Sequence, residues 1–121
     1  MNPKVKAKWL KALRSGEYDQ TQSTLLERTP EGDKFCCLGV LCNLYAQEHP
    51  GTGFRLQDHN YKFFGTSWNL PAKVVQWAKI SLAAKYPNNR FTLDSAETKL
   101  IGLNDNGKDF NKIADWIERN L

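Results

Sequence analysis

The chain has 121 residues, a formal net charge of +4 at pH 7, a pI near 9.0 and 40% hydrophobic residues, four tryptophans among them. This length predicts one globular domain over residues 1–121, and the apolar content excludes an intrinsically disordered chain. No apolar run reaches membrane-spanning length and no signal peptide is recognisable, so we expect a soluble, cytoplasmic protein with no membrane partner.

The first predicted element is an amphipathic helix. Asn2 can cap this helix with Pro3 at its first position, and Gly16 is a suitable stop. Its apolar stripe consists of Val5, Trp9, Leu10 and Leu13. We then expect extended chain over residues 18–28, a turn over 29–33 and a short strand over 34–36, which together form a hairpin.

All three cysteines lie in the next segment, at positions 36, 37 and 42. The spacing C-C-x4-C differs from the C-x2–4-C pairs of structural zinc sites, which disfavours a metal site. Apolar residues at 37, 38, 40, 41, 44 and 45 have a helical period and predict a buried helix over 37–48. Gly39 inside this pattern suggests close approach by another element.

The segment 49–69 is the least regular part of the chain, and a strand is expected near residues 61–64. Pro71 then opens another helix with Val74, Val75, Trp77 and Ala78 on its buried side.

Residues 80–93 are ambiguous, and Asp94 or Ser95 can cap a helix that ends near Asn104. Asp109 can cap the last helix. The predicted fold is α+β: a helix-rich single domain of about four to five helices with a small antiparallel hairpin or sheet.

No phosphate-binding glycine loop, dinucleotide fingerprint, nucleophile elbow or zinc-protease helix occurs in the sequence. A thiol nucleophile paired with His49 or His59 is an alternative, but the apolar setting of the cysteines disfavours it. We therefore expect a protein that is not an enzyme and that uses no cofactor and no metal.

Two regions offer binding chemistry instead. Aromatic and cationic side chains occur together between residues 54 and 68, a composition that suits stacking on a base and charge on a phosphate. They are Arg55, His59, Tyr61, Lys62 and Trp68. The structural alternative is a loop whose aromatics complete the core. A second, disfavoured possibility is weak nucleic-acid binding through Lys4, Lys8 and Lys11 on the first helix, which otherwise form a solvated surface.

Several motifs resemble a widespread group of short, uncharacterised proteins of tailed phages and prophages. They are residues 9–20 (WLKALRSGEYDQ), 35–42 (FCCLGVLC), Leu70-Pro71 with Val74 and Trp77-Ala78, and Leu103-Asn104-Asp105-Asn106-Gly107 with Phe110, Ile113-Ala114-Asp115 and Ile117-Glu118. The resemblance covers nearly the whole chain and departs mainly over 80–95, where we expect a less elaborate connection. It implies a phage origin and marks Arg14, Tyr18, Gln20, Asn104 and Asp105 as candidate pocket residues. Their structural alternative is to close a helix, shape turns and satisfy backbone groups.

The function expected from these observations is counter-defence by a phage accessory protein that sequesters a small nucleotide-derived signal, as a homo-oligomer. The alternatives are an inhibitor or adaptor of a host protein, and the weak nucleic-acid binder. An inhibitor would show an exposed apolar patch of several hundred Å², and a nucleic-acid binder would lose affinity steeply with salt.

Overall fold

The computed structural model describes residues 1–80 and 96–121. Five helices and five strands are found in these ranges. The helices are α1 (Pro3–Arg14), α2 (Cys37–Glu48), α3 (Ala72–Ala78), α4 (Ala96–Asp105) and α5 (Phe110–Asn120). The strands are β1 (Asp19–Gln20), β2 (Leu26–Thr29), β3 (Gly32–Phe35), β4 (Phe54–Gln57) and β5 (Asn60–Phe63). The predicted α+β class, rich in helices, is confirmed.

The helix ends follow the capping rules. The Asn2 side chain accepts hydrogen bonds from the N–H groups of Lys4 and Val5, and Pro3 occupies the first turn of α1. Asp109 caps α5 by accepting from the N–H of Lys112 at 2.9 Å. The proposed cap of α4 at positions 94 and 95, and the ambiguous region from 81 to 93, lie outside the described residues.

The strands form two small sheets. The first has the order β1-β3-β2, in which β2 and β3 make the predicted antiparallel hairpin and β1 joins β3 in parallel. The second is the β4–β5 hairpin. Its β5 strand matches the expected strand near residues 61–64, whereas β4 lies in a segment that sequence reasoning left irregular.

Helix α2 is the centre of the core, as its cysteine-rich pattern predicts. Residues 37–42 are all buried, and α1, α3 and α4 pack around this helix. Gly39 allows the closest approach: a Cβ at this position would lie 1.9 Å from the backbone oxygen of Leu25. The expected close approach of another element is therefore confirmed. Among the described residues, no helix is long and apolar enough to cross a membrane.

Candidate functional site: a cationic cleft beside the second hairpin

The β4–β5 hairpin has two chemically different faces. Phe54 lies opposite Phe63 and Arg55 lies opposite Lys62 in the antiparallel register. Because side chains alternate along a strand, the two phenylalanines share one face and the two cations share the other. Phe63 is fully buried, so the aromatic face packs on the core and leaves the cationic face outward.

A cleft of about 200 Å³ lies beside the cationic face. We call it the cationic cleft; it is lined by Gly51, Thr52, Gly53, Arg55, Gln57, Lys62, Phe64 and Gly65. The cleft therefore combines side chains of the hairpin with two turns that flank it, residues 51–53 before β4 and residues 64–65 after β5.

The charges in the cleft are only partly neutralised. Like charges directly opposite each other on a hairpin repel, and Arg55 faces Lys62 across the strands. Lys62 pairs with Asp58 at 3.4 Å, but Asp58 is almost fully exposed and the pair is weak. Within the described ranges, no carboxylate is within ion-pair distance of the Arg55 guanidinium. The cleft thus holds a net positive charge and an unpaired planar donor group.

Phe64 forms one wall of the cleft in a conformation that is unusual for its side chain. Its φ is +48°, and it makes a tight turn with Gly65 that is closed by the Phe63 N–H donating to Thr66 O at 2.8 Å. A bulky residue in this left-handed region costs roughly 1–2 kcal/mol. The ring is 43% exposed, and the ammonium of Lys73 lies 5.1 Å from its centroid. Strain of this kind concentrates at functional sites.

Glycine backbone makes up much of the remaining wall. Gly51, Gly53 and Gly65 have nothing within 4 Å of the position that a Cβ would occupy, so their backbone faces open space. Thr52 is fixed because its hydroxyl and its N–H both donate to His49 O, at 2.7 and 3.1 Å. The cleft is therefore open to a ligand and is built on an ordered turn.

The remaining predicted residues of the hairpin region lie elsewhere. His59 sits in the two-residue β4–β5 loop at φ +67° and is exposed. Tyr61 is on the opposite face, where the Arg28 guanidinium lies 4.7 Å from its ring centroid. Trp68 lines a different cavity and is 57% exposed. Of the five candidates between 54 and 68, the structure brings only Arg55 and Lys62 together in the cleft.

Asn104 is the hub of a buried hydrogen-bond network that joins distant parts of the chain. Its Oδ1 accepts from the N–H of Cys37 at 3.1 Å and from Nε2 of Gln20 at 2.9 Å, while its Nδ2 donates to Thr21 O at 2.8 Å. Asp105 accepts the N–H of Ser23 at 2.9 Å. Gln20 and Asn104 therefore have the structural role that the sequence left open as their alternative.

Arg14 and Tyr18 also make contacts within the protein. Arg14 on α1 binds Asp115 and Glu118 of α5 at 2.8 and 2.9 Å. The hydrogen bonds accepted by Glu118 and then Asp115 raise the pKa of the Arg14 guanidinium. The Tyr18 hydroxyl accepts from Nδ2 of Asn43 at 2.8 Å. Neither of these two residues lines the cationic cleft.

The three candidate lysines of α1, Lys4, Lys8 and Lys11, are exposed, as expected of a solvated surface, and one of them forms an ion pair. Lys8 binds Glu48 of α2 at 3.1 Å. Lys8 and Lys11 border a groove between α1 and α2 that also contains Glu17 and Glu48. The acids in this groove reduce its attraction for a phosphate backbone.

The cysteines are unreactive by their environment. Burial raises the pKa of the Cys36 thiol to about 11 and raises the pKa values of Cys37 and Cys42 well above their ordinary range. A thiol nucleophile at neutral pH needs the opposite shift. The His49 ring contacts Tyr45 instead: its Nδ1 lies 2.8 Å from Tyr45 O, and the two rings stack at a centroid distance of 3.8 Å.

Sequence reasoning missed Phe64 and the glycine turns as parts of the site. A detectable signal was present, because Gly51, Gly53 and Gly65 bracket the cationic segment and glycine allows close backbone approach. The left-handed conformation of Phe64 had no such signal, since phenylalanine rarely adopts it.

One known protein family covers the whole chain. A family model described as a domain of unknown function (DUF8296) matches residues 1–121. The chain belongs to this family. Searches of curated proteins and of solved structures found no match. The cationic cleft and the Asn104 network are therefore features of a protein of the DUF8296 family.

Proposed function

We propose that this DUF8296 protein is a non-enzymatic binder of a small nucleotide-derived anion, and that the cationic cleft holds the phosphate. The observation that carries the proposal is the direct opposition of Arg55 and Lys62 on one face of the hairpin, with an exposed aromatic ring at the same cleft. An anion between the two cations relieves their repulsion.

The size of the cleft indicates which part of the ligand it encloses. Pockets that enclose drug-sized ligands measure about 300–1,000 Å³, and the cleft measures about 200 Å³. A phosphate with its attached sugar fits this space, while a base would lie outside it. The exposed ring of Phe64 supplies an aromatic surface at the border of the cleft for that base.

The biological role proposed for such a binder is counter-defence. The resemblance to tailed-phage proteins suggests that the protein acts in the cytoplasm of a host cell, where it sequesters a signalling nucleotide without degrading it. Sequestration needs affinity and no catalytic group, which agrees with the raised thiol pKa values and with the absence of a recognisable catalytic motif in the sequence. We propose a homo-oligomer, since a symmetric assembly multiplies the number of sites.

A decisive experiment combines native mass spectrometry with calorimetry. Protein purified from its expression host is weighed in native and denatured form, and is then titrated with pyrophosphate, AMP and adenosine. We expect a nucleotide-sized adduct that is lost on denaturation, and binding of AMP and pyrophosphate but not of adenosine. Binding of adenosine as tight as that of AMP would contradict a phosphate-directed site.

Variants then assign the binding to the cleft. Charge-assisted hydrogen bonds contribute about 1.5–3 kcal/mol, so Arg55→Gln and Lys62→Gln should each weaken AMP binding by about 10–150-fold. Arg119→Gln, which removes an exposed cation on α5 outside the cleft lining, is the matched control and should bind like the parent. Equal affinities of all three variants and the parent would place any binding elsewhere.

The alternative of a host-protein inhibitor has one supporting observation. Three large apolar side chains, Leu56, Phe64 and Trp68, are 61%, 43% and 57% exposed. Exposed aromatics of this kind are enriched where proteins bind partners. The competing test is a Leu56→Ser variant: it should abolish a host-protein complex under this alternative and leave AMP binding unchanged under the first proposal.

Nucleic-acid binding through α1 is the least supported function. Neutralising Lys4, Lys8 and Lys11 together would reduce both affinity and its salt dependence if α1 contacted phosphates. The Lys8–Glu48 pair already removes part of this charge in the structure.

A further inference from the structure

A second cavity, separate from the cationic cleft, lies where two of the sequence motifs meet. It measures about 170 Å³ and shares no lining residue with the cleft. Its lining includes Cys36 and Leu38 at the start of α2, Ile101 and Asp105 on α4, and Trp68. The CCLG and LND motifs, which the proposed function does not use, both contribute to its wall.

Several polar groups in this wall are already satisfied within the protein. Asn104 makes its hydrogen bonds within the protein, the Thr24 hydroxyl donates to Ser67 O at 3.0 Å, and the Cys36 sulfur accepts the N–H of Gly39 at 3.4 Å. The carboxylate of Asp105 is satisfied only in part, because in the described part of the chain only its Oδ1 has partners. The cavity is therefore a preformed, mainly apolar space with one charged group.

The same contacts disfavour an anion in this cavity. Helix N-termini attract anions through free N–H groups, but the N–H of Cys37 is bound by Asn104 and that of Gly39 by Cys36. The Asp105 carboxylate adds repulsion. The sign of the charge thus favours a cation, in contrast to the cationic cleft.

Trp68 adds an aromatic surface to the negative charge of Asp105 in this cavity. Its indole is 57% exposed, and no aromatic ring or cation contacts it among the described residues. By contrast, Trp9 is fully buried and donates its indole N–H to Cys37 O at 3.0 Å. An exposed indole and a carboxylate that line the same cavity are a combination that binds organic ammonium ions through cation–π attraction and charge.

We propose that this cavity, between Trp68 and Asp105, is a binding site for a small organic ammonium ion with an aromatic or short aliphatic body. A dry protein cavity of about 150 Å³ can hold a benzene ring, and the cavity here is about 170 Å³. The apolar body lies against Ile101 and Leu38, and the ammonium group lies at the carboxylate end. The thiol of Cys36 only packs against the ligand, since its raised pKa keeps it protonated at neutral pH.

The test uses three probes of one shape and different charge: benzylamine, benzyl alcohol and benzoate. Each is titrated into the full-length, ¹⁵N-labelled protein while the indole N–H resonances are followed. We expect benzylamine to shift the Trp68 resonance saturably and to bind more tightly than benzyl alcohol, and benzoate to give no shift. Equal shifts from benzylamine and benzyl alcohol, or no shift from any probe, would overturn the proposal.

Two variants locate the binding. Asp105→Asn keeps an oxygen that can accept the Ser23 N–H, so the fold is retained while the charge is lost, and benzylamine affinity should fall by about two- to fivefold, the range for an exposed ion pair. Glu31→Gln, in the exposed β2–β3 turn, is the matched charge control and should have no effect. Trp68→Ala removes an exposed side chain and should abolish benzylamine binding. Benzylamine binding that survives both Asp105→Asn and Trp68→Ala would refute the assignment, and AMP binding at the cleft is independent of either result.

Discussion

Replacing Asn104 with alanine tests the buried network that ties α4 to the first sheet and to α2. The side chain is 1% exposed, and its amide contacts three groups from residues far away in the sequence. Alanine leaves the N–H of Cys37 without its acceptor in a position that is fully buried. Gln20 retains one partner, because its Nε2 also donates to Lys108 O at 2.8 Å.

The expected loss follows from these contacts. A fully buried, unsatisfied N–H costs about 1–3 kcal/mol, and each of the two less buried hydrogen bonds contributes about 0.5–1.5 kcal/mol. The free energy of unfolding should therefore fall by roughly 2–6 kcal/mol. A domain of 121 residues has a total of about 6–18 kcal/mol at typical stability per residue, so the variant should fold but with a strongly reduced urea midpoint.

Urea unfolding followed by tryptophan fluorescence measures this change. Asn106→Ala, an exposed substitution in the same α4–α5 connection, is the control and should stay within about 0.5 kcal/mol of the parent. If Asn104→Ala were as mild as Asn106→Ala, the network would not stabilise the fold, and a ligand-binding role for Asn104 would regain support.

Three further substitutions and one pH effect follow from the structure. Gly39→Ala should destabilise the protein by more than about 3 kcal/mol, because its Cβ would meet the backbone of Leu25. Gly102→Ala on α4 has open space at its Cβ and should stabilise the protein by about 0.5–1 kcal/mol. Chemical denaturation of the two variants measures the sign of both changes in stability. Burial raises the pKa of Cys36 from 9.0 to about 11, so the unfolded chain releases this proton first, and this thiol lowers stability by on the order of 2–3 kcal/mol as pH rises from about 9 to 11. Cys37 and Cys42, whose pKa values burial also raises, add to the loss. Cys36→Ser keeps a side chain that can cap α2 and should make this part of the stability–pH curve less steep by the contribution of one thiol; an unchanged slope would mean that other groups cause the loss.

Much of the fold could be predicted from local patterns. The capping residues Asn2 and Asp109, the apolar period of the cysteine segment and the turn before β3 each depend on neighbours in the sequence, and the structure agrees with them. The parallel pairing of β1 with β3 could not be predicted, because two residues carry too little pattern to specify a partner. Strand β4 was missed for a related reason: its solvent-facing side chains, Arg55 and Gln57, alternate with one half-buried phenylalanine and an exposed leucine, so no buried residue marks the strand.

The candidate site divides in the same way. Composition alone identified Arg55 and Lys62 as cations beside aromatics, and their opposition across a hairpin is a matter of register that only the fold decides. Gln20 and Asn104 are 84 residues apart, and whether their amides bind a ligand or each other depends on packing that no local pattern contains. The sequence by itself determined the α+β class, the core helix and the chemistry that is available, because helix period, capping and burial act over a few residues. The tertiary structure decided which polar groups are consumed by the fold and which are left free, because hydrogen bonds between distant segments form only once the core has brought them together.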